Sequence, residues 1–187
     1  ALRSDAATGA YVAVLDEAGE LISAVNDMRI LESLTPDHLD KHEASLAAAK
    51  YIVVDCNVSL EALEWLALHY GEKLIIEPVS VTKSQKLKAV LAKHEIFLAT
   101  PNSDQLAALG SDLHRRGLRN LVIHLGKEGS LASTAGTKQR IPSFATSHVR
   151  DVTGAGDAAV AGLVYGLFKG YGLFDAARFG QAAASFA

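Results

Sequence analysis

Tyr51-Ile-Val-Val-Asp-Cys-Asn-Val-Ser-Leu-Glu-Ala-Leu-Glu-Trp-Leu-Ala-Leu-His-Tyr-Gly-Glu-Lys-Leu-Ile-Ile-Glu77 carries the fold class. Tyr51–Val54 is a compact apolar run that ends at Asp55. Ser59 is placed to cap a helix over Leu60–Tyr70, and Gly71 is placed to stop it. Leu74–Ile76 is the next short apolar run. Neither run alternates strictly between apolar and polar residues, which suits strands buried on both faces. A strand, a helix and a second strand in this order form a parallel unit.

The pattern continues on both sides. Helices are expected over Ser84–Ala92, from Asn102 or Ser103, over Asp157–Lys169 and over Leu173–Phe186. Strands are expected at Ile96–Ala99 and Leu121–His124. Thr35-Pro36 starts a helix expected to run to about Ala49, with Thr as cap and Pro at the first helical position. Tyr11–Leu15 with Leu21–Val25, and Leu131–Ser133 with Lys138–Ile141, read as hairpins turning at Gly19 and Gly136. The class is therefore α/β, with a mostly parallel sheet between two helical layers. Ligands of such sheets bind beyond the carboxyl ends of the strands. Four segments fall there: Asp55-Cys56-Asn57, Glu77-Pro78-Val79-Ser80, Thr100-Pro101-Asn102 and His124-Leu125-Gly126.

Composition narrows the function classes. The 187 residues include 18 basic and 21 acidic side chains, 49% hydrophobic and 21% charged residues, as in a globular chain. A formal charge of -3 without clustered cations argues against nucleic acid as partner. The single cysteine, Cys56, excludes an internal disulfide and any CxxC zinc pair. It fits a reducing compartment. The longest charge-free apolar run, Ala158–Phe168, would rise only about 16 Å as a helix, too little to span a bilayer. Ala1–Ala10 has no apolar core of the kind that secretion signals carry. The chain starts at Ala1 and ends at Phe186-Ala187 inside an expected helix, so it reads as part of a longer protein.

The chemistry concentrates in Asp151-Val-Thr-Gly-Ala-Gly-Asp157. Gly154, Ala155 and Gly156 let a ligand approach the backbone, and an apolar helix follows at once. The first N–H groups of that helix lack internal acceptors, and with the helix dipole they form an anion site. Asp157 falls in the first turn. A carboxylate there repels the anion, so its useful role is to take a proton from a hydroxyl attacking phosphorus. The alternative, a tight turn with Asp157 as a cap complementing the helix dipole, is made less favourable by the full seven-residue string in an alternating α/β chain.

This string resembles the DTxGAGD signature of the ribokinase-like carbohydrate kinases, the PfkB family, with Val152 in place of the usual Thr. The resemblance implies a ribokinase-like three-layer α/β/α fold with a small β lid. It implies ATP and magnesium, and possible potassium activation. Asp157 would be the catalytic base, and Gly154, Ala155 and Gly156 the anion hole. Asp151 and Thr153 would be weaker candidates for a monovalent-cation site. Leu125-Gly126-Lys127-Glu128-Gly129 resembles the family's LGxxG nucleotide loop, which points to Gly126, Lys127 and Gly129. Thr100-Pro101-Asn102-Ser103-Asp104-Gln105 resembles TPNxxE, whose polar pair places magnesium and phosphates. Here Gln105 stands where Glu is usual. Its amide can hold a metal-bound water but brings no charge to the cation.

A finer resemblance points to the pseudouridine kinases within that family. It rests on the hairpin Tyr11–Leu21 with Ala24–Met28, on Glu77-Pro-Val-Ser-Val-Thr-Lys83, on the VTGAGDA string, and on Phe179–Ser185, similar to the helix beside their adenine pocket. Ala183 is the nucleotide candidate on that helix. The implied reaction moves the ATP γ-phosphoryl to the 5′-hydroxyl of pseudouridine. The rivals are another sugar or nucleoside acceptor (ribose, another nucleoside, a hexose), or a catalytically weak nucleotide-binding relative. Asn26 and Asp27 read equally as acceptor ligands or as turn polarity, and Lys83 as a ligand or a solvated helix start. The resemblance further implies a lid hairpin over 11–28, a core over 29–187 and a homodimer, with a cytoplasmic or organellar location. It also implies further domain sequence before Ala1, between Leu109 and Leu113, and beyond Ala187.

Other features carry less. His38 and His42 have zinc-ligand spacing but no evident third ligand. His124, Trp65 and Cys56 read as core residues.

Overall fold

The computed structural model describes residues 5–17, 21–144 and 153–187. Its centre is a six-stranded sheet in sequential order: β3 (Ile52–Asp55), β4 (Leu74–Glu77), β5 (Ile96–Ala99), β6 (Leu118–His124), β7 (Ser130–Thr134) and β8 (Lys138–Ile141). The first four strands are parallel, and β6, β7 and β8 pair antiparallel. A separate antiparallel pair, β1 (Ala10–Leu15) and β2 (Leu21–Asp27), aligns Tyr11 with Asn26 and Val12 with Val25. The strands of both expected hairpins pair antiparallel and the expected parallel unit is present, while Gly19, the expected turn of the first hairpin, lies outside the described residues.

Two helical layers cover the central sheet. On one face α3 (Leu60–Tyr70), α4 (Ser84–Leu91) and α5 (Ser103–Leu109) bury Leu63, Leu66, Leu87, Val90 and Leu109 against Leu74, Ile76, Ile96 and Ile123. On the other, α6 (Ala155–Phe168) and α7 (Leu173–Ala184) bury Leu163, Leu167, Ala176 and Ala177 against Ile75, Leu98 and Val122. Neighbours in β4, Ile75 and Ile76, thus serve opposite layers, as the period of two along a strand requires. Both faces are covered, which explains why these strands lack polar alternation. Lys50 Nζ donates to the Phe168 carbonyl at 2.5 Å, tying the end of α6 to the start of β3.

Several boundaries differ from expectation. The helix expected over 36–49 is two short ones, α1 (Pro36–Asp40) and α2 (Glu43–Ala48). Neither contains a fully buried residue, and too little burial is available to hold one long helix together. Thr35 does cap α1, accepting from His38 N–H at 3.3 Å. Helix α3 ends at Tyr70 with Gly71 as its C-cap, as expected, but Gly71 has φ -52° rather than a left-handed conformation, and a 3-10 turn follows to Lys73. Glycine is needed there because a Cβ would collide with the Glu95 carbonyl oxygen. Strand β6 starts three residues early, at Leu118 after Gly117. The junction Leu109–Leu113 is a compact turn with Gly110 and Asp112 at positive φ. Among the described residues no helix is long and apolar enough to cross a membrane.

Candidate active site

Helix α6 begins two residues before Asp157, with Gly154 as its N-cap at φ +84° and ψ -10°. Glycine adopts that left-handed conformation without steric cost. Helical geometry leaves the N–H groups of Ala155, Gly156 and Asp157 without an acceptor in the helix. Ala158 N–H makes the first helical bond, to the Gly154 carbonyl at 2.8 Å. Among the described residues, apart from chain neighbours and the helix's own backbone, no atom lies within 4 Å of where a Cβ on Gly154 or Gly156 would sit. Gly154, Gly156 and Asp157 are exposed and Ala155 is half-buried. Thr153 is exposed as well; its cation partner from the sequence, Asp151, lies outside the described residues, as does Val152.

Asp157 faces a cavity of about 1130 Å³, shared with Asp55, Asn57, Glu77 and Val79 and walled by Val160 and Val164. Asp55 and Glu77 end neighbouring parallel strands and are in register, so the topology brings both carboxylates to one rim. Glu77 Oε2 accepts the Thr100 hydroxyl at 2.6 Å, and its Oε1 accepts Val79 N–H at 3.1 Å. Burial pushes the Glu77 pKa up against the pull of those two bonds, and the charges of Asp157 and Asp55 push the same way. Asp55 accepts from Asn57 N–H at 2.9 Å and from Asn57 Nδ2 at 2.6 Å. Asn57 Oδ1 in turn accepts from Lys83 Nζ.

The acceptor candidates lie next door. Asn26, Asp27, Arg29, Asn57 and Lys83 line a second cavity of about 750 Å³, so Asn57 stands on the border of both. Asp27 is gripped by Arg29 through Nε at 2.9 Å and a second guanidinium nitrogen at 2.6 Å. Those bonds hold its pKa down at about 2. Lys83 therefore is not a free solvated lysine, and Asp27 is a paired carboxylate.

The nucleotide candidates fall at the ends of β5 and β6. Asn102 caps α5, its Oδ1 accepting Gln105 N–H at 2.9 Å, while Gln105 Oε1 accepts Asn102 N–H at 2.8 Å. Gln105 is buried by this reciprocal pair, whereas Asn102 is exposed. Gly126, at φ +58°, and Lys127 form a 3-10 turn that Gly129, at φ +89°, closes by donating to the Gly126 carbonyl at 3.0 Å. Ala183 lies on α7, half-buried against Gly162 of α6. Asn102 and His124 form an isolated parallel bridge that joins the two loops.

Sequence reasoning located the strand-end segments holding Asp55, Asn57, Glu77 and Val79 without assigning them roles. Their signals were position after a buried strand and, for Glu77 and Val79, the resemblance carried by Glu77–Lys83. Among the described residues no group of three or more His, Cys, Asp or Glu is arranged to hold a metal ion, and the His38 and His42 rings, 4.8 Å apart, have no third ligand. Cys56 is fully buried, its thiol pushed up to about 12 mainly by burial, in keeping with a core role.

The chain is 31% identical to a pseudouridine kinase of Escherichia coli K12, over 96% of this chain and 62% of that protein. A carbohydrate kinase from Agrobacterium tumefaciens superposes with a TM-score of 0.77 at 30% identity, covering 98% of this chain and 62% of that one. A ribokinase from Thermotoga maritima shares the fold, with a TM-score of 0.75 at 20% identity over 95% of this chain and 62% of that one. The chain thus spans under two thirds of the length of each of these relatives. The model of the pfkB family carbohydrate kinases matches residues 2–187, and the chain belongs to that family.

Proposed function

We propose that this chain carries the phosphoryl-transfer part of an ATP-dependent kinase whose acceptor is the 5′-hydroxyl of pseudouridine. The observation that carries the reading is the position of Asp157. It sits in the first turn of α6, beside N–H groups that have no acceptor within the helix, and it faces the cavity at the ends of β3 and β4. Asp157 takes the proton of the attacking hydroxyl, while the backbone from Gly154 to Gly156 stabilises charge on the transferring phosphoryl group. The products are ADP and pseudouridine 5′-phosphate. The printed name of the Escherichia coli relative supports pseudouridine as acceptor.

ATP lies on the side of Gly126, Lys127, Gly129 and Ala183. The acceptor lies on the side of Asn26, Asp27 and Lys83. Magnesium takes six oxygen ligands and keeps several waters, so it needs few protein groups. Exposed Asn102 retains a second lone pair on Oδ1 and would offer the ion one ligand, directly or through a bound water, while Gln105 is occupied by its bond to the Asn102 N–H. When bound, magnesium neutralises phosphate charge. The hairpin over 11–28 acts as a lid on the core over 29–187. Exposure of Tyr11, Val12, Val14, Ile22 and Val25 on it supports a homodimer in which a second copy covers them.

The test is ADP release by the full-length polypeptide with ATP and magnesium, comparing pseudouridine, uridine and ribose. Preference for pseudouridine is expected. Preference for another acceptor would keep Asp157 and remove the substrate assignment. No release with any acceptor would favour a nucleotide-binding relative without turnover.

A further inference from the structure

Val79 has φ +67°, and only one other non-glycine residue among those described, Asp112, shares a positive φ. Aspartate tolerates that region, whereas a β-branched residue there is a steric outlier. Packing does not demand valine: the residue is 37% exposed and belongs to neither core cluster. The backbone does not demand it either. Val79 N–H bonds to Glu77 Oε1, and Ser80 N–H bonds to the Pro78 carbonyl at 2.8 Å. A glycine would make both bonds with no strain. What valine adds is an isopropyl group on the wall of the cavity that Asp157 faces. Strain that the fold does not need, kept beside reactive groups, points to use of the side chain.

We infer that Val79 is a specificity-determining contact for the acceptor. Its isopropyl group packs on the carbon face of a furanose or a planar base held beside Asp157. The two bonds made by Glu77 and Pro78 keep that group aimed into the cavity. The inference rests on the kinase reading for the identity of the ligand class.

Val79→Gly removes the isopropyl group and eases the backbone. Val79→Asn keeps a side chain that tolerates the same φ but makes it polar. Both are compared with the wild type in the full-length polypeptide. Calorimetry measures binding of pseudouridine, uridine and ribose, and steady-state kinetics measures KM for acceptor and ATP separately. Expected is an acceptor Kd raised about tenfold in both variants, the scale of one partly buried apolar group. The KM for ATP should stay within about twofold, and Val79→Gly should melt no lower than the wild type. Unchanged acceptor affinity in both variants overturns the inference. So does a loss shared equally by ATP, a large fall in Tm in both variants, or a wild type that binds none of the three compounds. A wild type that binds acceptor but forms no ADP sinks the kinase reading alone, and the binding comparison still decides the role of Val79.

Discussion

Thr100 Oγ1 donates to Glu77 Oε2 across 2.6 Å, tying the ends of two adjacent parallel strands together at the cavity that Glu77 shares with Asp157. Thr100 is fully buried, so this bond and the Val79 N–H are the described support for a carboxylate that burial penalises. The folded pKa of Glu77 lies above its ordinary 4.5, so the native state keeps a proton that the unfolded chain has released. The stability contributed by that proton is complete below about pH 4.5 and is lost as pH rises through the raised value. Glu77→Gln carries no such titration. Urea unfolding between about pH 4 and 8 should show the variant gaining on the wild type as pH rises. Thr100→Val removes the bond that favours the charged form, so it should cost about 1.5–3 kcal/mol at neutral pH.

Asp157→Asn should lower turnover by about 10² to 10⁴, the usual share of general-base catalysis. The KM for ATP should change little. The carboxylate also complements the helix dipole, so the variant should lose about 0.3–1 kcal/mol of stability. Near-normal turnover in a folded variant, measured as ADP release, would remove Asp157 as the base.

Periodicity and punctuation made the layers legible. Ser59 and Thr35 were readable as caps because their hydroxyls act locally on the backbone three residues on, and the structure bears this out with bonds of 3.1 and 3.3 Å. Asp157 was readable because the whole string Asp151–Asp157, in an alternating α/β chain, favours an anion site with an adjacent base over a plain turn with an acidic cap. The Asp55, Asn57, Glu77 and Val79 rim was not readable as a set. Residues 55 and 77 meet only through strand register, and register is a tertiary property. The break in the helix after Thr35-Pro36 was equally hidden, because helix length there depends on what the rest of the chain leaves to bury it.

His124 gives a second pH signature, opposite in sign to that of Glu77. Burial lowers its pKa below the ordinary 6.5, and its Nε2 has no hydrogen-bond partner among the described residues. The unfolded chain takes up a proton below about pH 6.5 while the native state resists. Stability is therefore full above that pH and falls as pH drops toward the lowered folded value, by at most about 1.4 kcal/mol per pH unit for one proton. His124→Gln should flatten that slope in urea unfolding. An unchanged slope would mean that another group carries it.

The placement of Asp157 depends finally on how α6 lies against α7. A Cβ on Gly162 would come within 2.5 Å of the Phe179 carbonyl oxygen, and one on Gly166 within 2.7 Å of the Ala176 Cα. Both obstacles are backbone, so neither can swing aside as a side chain could. Replacing a mid-helix glycine with alanine normally gains about 1 kcal/mol of helix propensity. Here the clash reverses the sign, because the helices must separate and give up contacts made by Leu163 and Leu167 against the sheet. Gly162→Ala and Gly166→Ala should each lose about 1–3 kcal/mol in urea unfolding. Any residual folded population should also show a lower kcat, since moving α6 displaces Asp157 and the N–H groups before it together. Gly172→Ala, at the N-cap of α7 with φ -66° and no atom within 4 Å of the added Cβ, is the control and should change stability by less than about 1 kcal/mol.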